Sequence, residues 1–440
     1  MNYTDSFVDL LHTISLENYP EDIRAQAKNC ILDYTGVLLA GAYAMKKIIE
    51  RYRQLSGSSI HNKALLYGMA AHYLELDDGS RFGMVHPGAP VISALLAAAG
   101  IKEMSGESFL RGVVSGYEAT LRLAGMIQPG HKIRGFHATG TCGTVGAAVA
   151  IAAACEYTRE ELKDTVSAAV ASAAGLLEVI GANSDLKPYN AGRAAMDGLT
   201  AAFIGKTGVC APDDILGGSR GFLALLAEEI DDAWLNRSEQ HKYTITGIYR
   251  KAYASCRHCH APVEAAIGLR EEIDASQDSI SSVNVKTYRL AVKGHDHTEI
   301  KGMQSAKMSI PFSVAAALIF GTDGTGMMTE EILQDQRVLA LTQKVSVEES
   351  DDLSALVPDK RAAVLTLTTN EGEVFSKRVD YPKGEPENPM ANEELEEKFC
   401  SLALFAGRSF DESNAIISMV TSIENGKLEL PTLLKGVDEA

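Results

Sequence analysis

Apolar residues recur every three or four positions along most of the first 240 residues, the spacing of helices that bury one face. Pro20, with Glu21 and Asp22 behind it, opens one such run that extends to about Ala42. The same spacing predicts helices over 46–55, 63–77, 90–103, 107–127, 141–155, 159–181 and 190–206, with Gly and Pro between them. Ala clusters such as Ala97–Ala99 and Ala147–Ala154 let helices approach closely, so a packed bundle core is expected.

The pattern changes near residue 243. Tyr243–Tyr249 alternates with β-branched residues, and 282–292 (SVNVKTYRLAV) and 364–369 read as strands. Helices are predicted at about 261–275 and 305–320. The stretch 373–381 (EVFSKRVDY) reads as the hairpin partner of 363–369, turning at Asn370-Glu371-Gly372. Pro382, Gly384, Pro386 and Pro389 mark a linker, after which 392–406 and 411–425 return to helical spacing. The predicted fold class is mainly α with an α+β part. A large all-helical domain is drawn from both chain ends (1–243 and 388–440), and a smaller α+β domain (244–387) is inserted into it. A cleft between two such domains is a default place for a small-molecule site.

Composition narrows the function classes. The 440 residues are 46% hydrophobic and 22% charged, an ordinary globular composition. Lys plus Arg number 41 against 58 Asp plus Glu, a net charge of −17, which argues against nucleic acid or an anionic membrane as partner. A small anionic substrate would need a local basic pocket against that field. The N-terminal MNYTDSFVDLLHTI lacks the order of a secretory signal, and the apolar stretches 144–155 and 166–180 read as buried helices. Seven scattered cysteines give no disulfide framework, so a reducing cytoplasm is expected. One Trp and 6% aromatics offer no stacking platform for single strands.

Five segments carry candidate chemistry. Cys256-Arg257-His258-Cys259-His260 has the C-x-x-C-H spacing of haem attachment, which needs export, or of half a zinc site, which needs two further ligands. The other cysteines stand singly. His295 and His297 lie near each other, with nothing in the sequence linking them to this segment, so no metal is expected. His258 and His260 precede a helix and are placed to project into a cleft. Gly198…Gly205-Lys206-Thr207 fails as a phosphate loop because Thr200 stands where the first glycine belongs. Gly140-Thr141-Cys142-Gly143 follows His137 and Thr139 and opens an Ala-rich helix. A histidine, two hydroxyls and backbone N–H groups there form a natural carboxylate seat, or merely a capped helix with a solvated His. Glu75, Asp77 and Asp78 ahead of His86-Pro87-Gly88 can supply a base and its orienting partner, although acid runs are commonly just exposed helix ends. Lys187 and Arg193 flank a helix start and can clamp an anion, or simply face solvent.

Taken in order, His86-Pro87-Gly88, Gly135-Phe136-His137-Ala138-Thr139-Gly140, Lys187-Pro188…Gly192, Asp213…Gly221-Phe222, Ser255…His260 and Ala306-Lys307-Met308-Ser309 resemble the MmgE/PrpD family of 2-methylcitrate dehydratases and cis-aconitate decarboxylases. The resemblance runs from about residue 5 to 435. It implies a helical domain from both termini with a smaller α+β lid, a homodimer, and an interdomain site for a small carboxylate that needs no metal or organic cofactor. Family activities are dehydration, decarboxylation and epimerisation of an imino-diacid. The family's active-site positions fall on Glu75, Asp77, Gly79, His86, His137, Lys187, His260 and Phe312. Where the decarboxylases carry Asp-Phe-Asp-Asp-Thr, this chain has Glu75-Leu76-Asp77-Asp78-Gly79, and their Tyr is Phe312 here. The reading that follows is a cofactor-free lyase resembling 2-methylcitrate dehydratase, working on a di- or tricarboxylic acid. Lys187, His137, Thr139, Thr141, Arg193, His258 and Phe312 would bind substrate, His86 and His260 would exchange protons, and Glu75 or Asp77 would orient one imidazole or act as the base itself. The alternatives are an epimerase of an amino- or imino-dicarboxylate and a non-catalytic carboxylate-binding protein.

Overall fold

The computed structural model describes residues 1–180, 184–237, 242–273, 280–321, 329–426 and 429–438. The chain forms two compact units. One comprises Met1–Val179, Leu186–Tyr249 and Ala391–Ala440; the other comprises Ile180–Asp185 and Arg250–Met390. The first unit is helical, and the sheet lies wholly in the second, so the fold is mainly α with a small α+β part.

The first unit begins with α1 (Tyr3–Ser15), α2 (Glu21–Ala44), α3 (Lys46–Ser56), α4 (Ile60–Tyr73), α5 (Gly88–Ala99) and α6 (Gly106–Ile127). It continues through α7 (Gly130–Ile133), α8 (Ala138–Ala154), α9 (Arg159–Ser172), α10 (Lys187–Gly205) and α11 (Phe222–Leu226). The second unit holds α12 (His260–Glu272), β1 (Ile280–Thr287), α13 (Arg289–Val292), α14 (Met303–Met308), α15 (Ile310–Phe320), α16 (Glu330–Gln334) and α17 (Gln336–Thr342). It ends with β2 (Val345–Glu349), α18 (Asp351–Ser354), β3 (Ala363–Thr369) and β4 (Val374–Val379). The chain then returns to the first unit as α19 (Asn392–Phe405), α20 (Phe410–Thr421) and α21 (Leu430–Leu434).

At the centre of the first unit every residue of α8 is buried, and α8 packs on α5, α6 and α10. A helix apolar all round belongs inside a bundle. Its small residues set the spacing: a Cβ on Gly146 would lie 1.8 Å from Thr120 Oγ1 of α6. On α10 a Cβ on Gly192 would lie 2.2 Å from the Leu65 carbonyl of α4. The charged pair Arg122–Glu118 is fully interior. Arg122 Nε donates to Glu118 Oε2 at 2.9 Å and Nη1 to the Trp234 carbonyl at 2.9 Å, while Glu118 Oε1 accepts the Ile245 N–H at 3.0 Å. These bonds tie α6 to the segment leading to Tyr249, offsetting the desolvation of both charges.

In the second unit the sheet order is β2-β1-β3-β4, with β1 parallel to β2 and antiparallel to β3, and β3 antiparallel to β4. Val283, Val285, Leu365 and Leu367 point from the sheet into a core shared with Val263, Leu269, Phe312 and Val314.

The structure redraws several predicted elements. Tyr243–Tyr249 is no strand: Thr244–Gly247 is a 3-10 turn, and only Tyr249 pairs, as an isolated bridge to Gly79. The strand read over 282–292 ends at Thr287, where Tyr288 turns the chain into α13. The helix read over 305–320 is two helices, α14 and α15, broken at Ser309, whose side chain caps α15. The helix read over 159–181 stops at Ser172, and its predicted end at 181, like the 274–275 end of the 261–275 helix, lies outside the described residues. β2 was not anticipated, because a five-residue edge strand with Ser346, Glu348 and Glu349 exposes too little apolar pattern.

Candidate active site

The first unit brings together six chemically active side chains from four elements. Helix α4 ends at Tyr73, four residues short of its predicted end, and Glu75 adopts a left-handed backbone with φ 58°. A non-glycine residue held there stores local strain, a frequent mark of functional loops. The bend turns the Glu75 carboxylate onto Lys187, the first residue of α10, and the two form a buried ion pair. The relative exposure of their side chains is 2% and 10%.

Two residues on, Asp77 Oδ2 accepts a hydrogen bond from His72 Nδ1 at 2.7 Å and lies 3.5 Å from His86 Nδ1. His86 Nδ1–H donates to the Asp78 carbonyl at 2.6 Å, and the His86 backbone N–H donates to Thr139 Oγ1 at 3.1 Å. With Nδ1 carrying the proton, Nε2 is the basic nitrogen of His86, beside a carboxylate that stabilises the imidazolium.

His137 occupies the N-cap position of α8, its side chain making no capping hydrogen bond. The Asn190 amide donates from Nδ2 both to His137 Nδ1 at 3.0 Å and to the Leu176 carbonyl at 3.2 Å. That network assigns the acceptor role to Nδ1 and leaves the proton on Nε2. Burial, with His72, Lys187 and His86 nearby, pushes the His137 pKa well below its ordinary value. At neutral pH His137 is therefore a neutral N–H donor, suited to holding an anion or a developing oxyanion. The His72 ring lies 4.9 Å from that of His86 and 6.1 Å from that of His137, so three imidazoles form one cluster.

Asp78 anchors the loop beneath them. Its Oδ1 accepts the Gly88 N–H at 3.1 Å and its Oδ2 accepts the Tyr117 hydroxyl at 2.6 Å. Burial raises its pKa to about 7, with the charges of Asp33 and Asp77 adding to the rise. Between the ordinary carboxyl pKa of about 4 and pH 7 the folded chain holds a proton here that the unfolded chain has lost. Stability contributed through this group therefore falls as pH rises across that window. Melting curves of wild type and Asp78→Asn should converge toward pH 7–8 less well than at pH 4, the wild type losing ground to the variant as pH rises. Parallel curves over pH 4–8 would contradict it.

The other predicted residues are placed as follows. Thr139 is buried and bonded to His86, as above. The Thr141 hydroxyl is taken up by His131 Nε2 at 2.9 Å. Helix α8 starts at Ala138, three residues before the predicted start, so the N–H groups of Gly140 and Thr141 are spent on the His137 carbonyl and form no open anion seat. Arg193 Nη1 pairs with Asp197 at 2.9 Å, one turn along α10. His258, His260 and Phe312 belong to the second unit. His260 is fully buried: its Nδ1 accepts from Arg257 Nη1 at 2.8 Å and its Nε2 lies 3.3 Å from the Ser255 carbonyl. His258 Nδ1 lies 2.6 Å from the Tyr288 hydroxyl. Phe312 has no exposed surface and sits in that unit's hydrophobic core.

Three residues of the cluster were missed from sequence: His72, Asn190 and Tyr249. His72 sits inside a helix with no motif around it, and Asn190 reads as an ordinary helix start. Tyr249 follows from a departure already visible. A Cβ on Gly79 would lie 2.4 Å from the Tyr249 hydroxyl, so the absent side chain at 79 makes room for this phenol. Its ring stands 6.5 Å from His86, edge to face at 88°.

Comparison with known proteins adds an independent result. The MmgE/PrpD N-terminal domain matches residues 5–234 and the MmgE/PrpD C-terminal domain matches 253–425. The cis-aconitate decarboxylase of Homo sapiens is 23% identical over an alignment covering 98% of this chain and 94% of that protein. The cis-aconitate decarboxylase of Mus musculus is 22% identical, covering 98% and 93%.

Proposed function

The chain belongs to the MmgE/PrpD family, and from that premise we propose that it is a lyase acting on a small di- or tricarboxylic acid by proton transfer at the carbon next to a carboxylate. The observation that carries this reading is one buried cluster holding a basic imidazole nitrogen (His86), a neutral imidazole donor (His137) and an ammonium (Lys187).

Each group has a definite task. Lys187 is already out of water and paired with Glu75, so a substrate carboxylate that reaches it replaces one anion by another. His86 Nε2 takes the α-proton, and Asp77 stabilises the imidazolium that forms. The electrons of that C–H bond become the new double bond as the leaving group departs, or return to carbon with a proton if the reaction is an isomerisation. His137 Nε2–H and Lys187 meet the negative charge that grows on the carboxylate, each such donor contributing about 3–4 kcal/mol. By the family resemblance His260 is an active-site position; its Nδ1 accepts from Arg257 and its Nε2 lies 3.3 Å from the Ser255 carbonyl.

Tyr249 supplies a phenol where the decarboxylase pattern has a threonine hydroxyl in place of Gly79. Tyr249→Phe should lower kcat/KM about tenfold, the value of one lost hydrogen bond to a developing charge. Unchanged kcat/KM would make the phenol a mere space-filler.

Proton NMR in heavy water with a panel of small carboxylic acids tests the proposal in one measurement. A vinyl or methine signal from a new unsaturated acid supports the lyase. Deuterium at the α-carbon with no new product supports epimerisation of an amino- or imino-dicarboxylate instead. Saturable binding with neither change would identify a carboxylate-binding protein and refute catalysis.

A further inference from the structure

The second unit holds another convergence of donors. Cys256 and His258 lie in the turn before α12, while His295 follows α13. The fold unites what the sequence left separate: one ligand atom from each of Cys256, His258 and His295 lies within 4.8 Å of the other two. His295 Nε2 is 3.3 Å from Cys256 Sγ, and the rings of His258 and His295 are 4.8 Å apart at 63°.

The 3.3 Å sulfur–nitrogen separation matches an edge of a metal polyhedron. A tetrahedral zinc ion with bonds of about 2.3 Å to sulfur and 2.0–2.1 Å to nitrogen sets sulfur–nitrogen edges of about 3.5 Å. The outer partners also fit. His295 Nδ1–H donates to the Lys293 carbonyl at 3.2 Å, which turns the Nε2 lone pair toward the sulfur. Tyr288, almost wholly buried, holds His258 by Nδ1 at 2.6 Å. Ligating imidazoles are generally held in this way through their other nitrogen. The Cys256 N–H donates to the Lys307 carbonyl at 2.9 Å, which fixes the turn. Cys259 takes no part, its sulfur being 4.0 Å from the Lys307 carbonyl.

We propose that Cys256, His258 and His295 form a binding site for a divalent transition cation of the zinc type, its fourth position left to water or a small anion. One thiolate and two neutral imidazoles suit a borderline-soft ion and leave the complex with a single net positive charge. Binding displaces the thiol proton to solvent, and no redox change is involved.

Cobalt(II) provides the probe. Full-length protein, treated with a chelator and exchanged into metal-free buffer, should take up about one equivalent of Co2+. A near-ultraviolet thiolate-to-cobalt charge-transfer band should appear and be displaced by Zn2+. Cys256→Ser should abolish the band, and His295→Ala, on an exposed segment, should weaken binding about tenfold or more. Cys210→Ser, which removes an exposed thiol, and His297→Ala should leave both unchanged. No band in excess Co2+, a band that survives in Cys256→Ser, or undiminished affinity in His295→Ala would overturn the site. Because binding is read optically, the result does not depend on whether any carboxylate is turned over.

Discussion

Replacing Lys187 with Met is expected to reduce turnover of the best carboxylate substrate about a thousandfold, the effect of removing a charged donor that faces the growing negative charge. The same change strands the Glu75 carboxylate in the interior, and an unpaired buried charge costs about 3–5 kcal/mol. The single variant therefore confuses two losses. Glu75→Gln with Lys187→Met separates them: the neutral pair should recover most of the melting temperature and almost none of the activity. A double variant that regains turnover would show that the ammonium serves only to neutralise Glu75.

His86 carries the second large effect. His86→Ala should lower kcat about 10²–10⁴-fold, the usual contribution of a positioned general base. His86→Asn is the sharper variant. Its amide can still donate to the Asp78 carbonyl, as Nδ1 does now, but it has no basic nitrogen to replace Nε2. Both variants should melt close to wild type while solvent deuterium stops entering the substrate. A variant that melts early but keeps its exchange rate would mark His86 as a structural residue of the loop.

The helical pattern was legible because it is repeated. Bundle helices such as α1 and α6 show the 3.6-residue period over several turns, and the return of that period after residue 391 identified the C-terminal helices. Short elements were not legible. Tyr243–Tyr249 alternates because Thr244, Ile245 and Ile248 are buried from a 3-10 turn, and seven residues cannot distinguish that from a strand. The end of α4 at Tyr73 was hidden for a related reason: tertiary contacts hold Glu75 at a positive φ that its side chain does not favour. Among the site residues, motifs pointed to His86, His137 and Lys187, while their supporting partners His72 and Asn190 lie on regular helices with no local mark. The proximity of His295 to Cys256 is a long-range contact that spacing along the chain cannot reveal.

The C-terminal segment of the first unit has a bearing on how the polypeptide is made. Helix α19 packs on α2, with Phe399 and Leu402 against the side where a Cβ on Gly36 would project. Lys398 Nζ bonds Asp33 at 2.6 Å and the Leu76 carbonyl at 2.9 Å, the residue directly after Glu75. During translation that brace leaves the ribosome only after the whole of the second unit. The nascent chain therefore carries an N-terminal bundle with the α19-facing side of α2 uncovered until the second unit has been made. Such an intermediate is a natural client for chaperones, and a stop codon shortly before Asn392 would deprive the Glu75 loop of its support even though every acid–base residue named above had already been made.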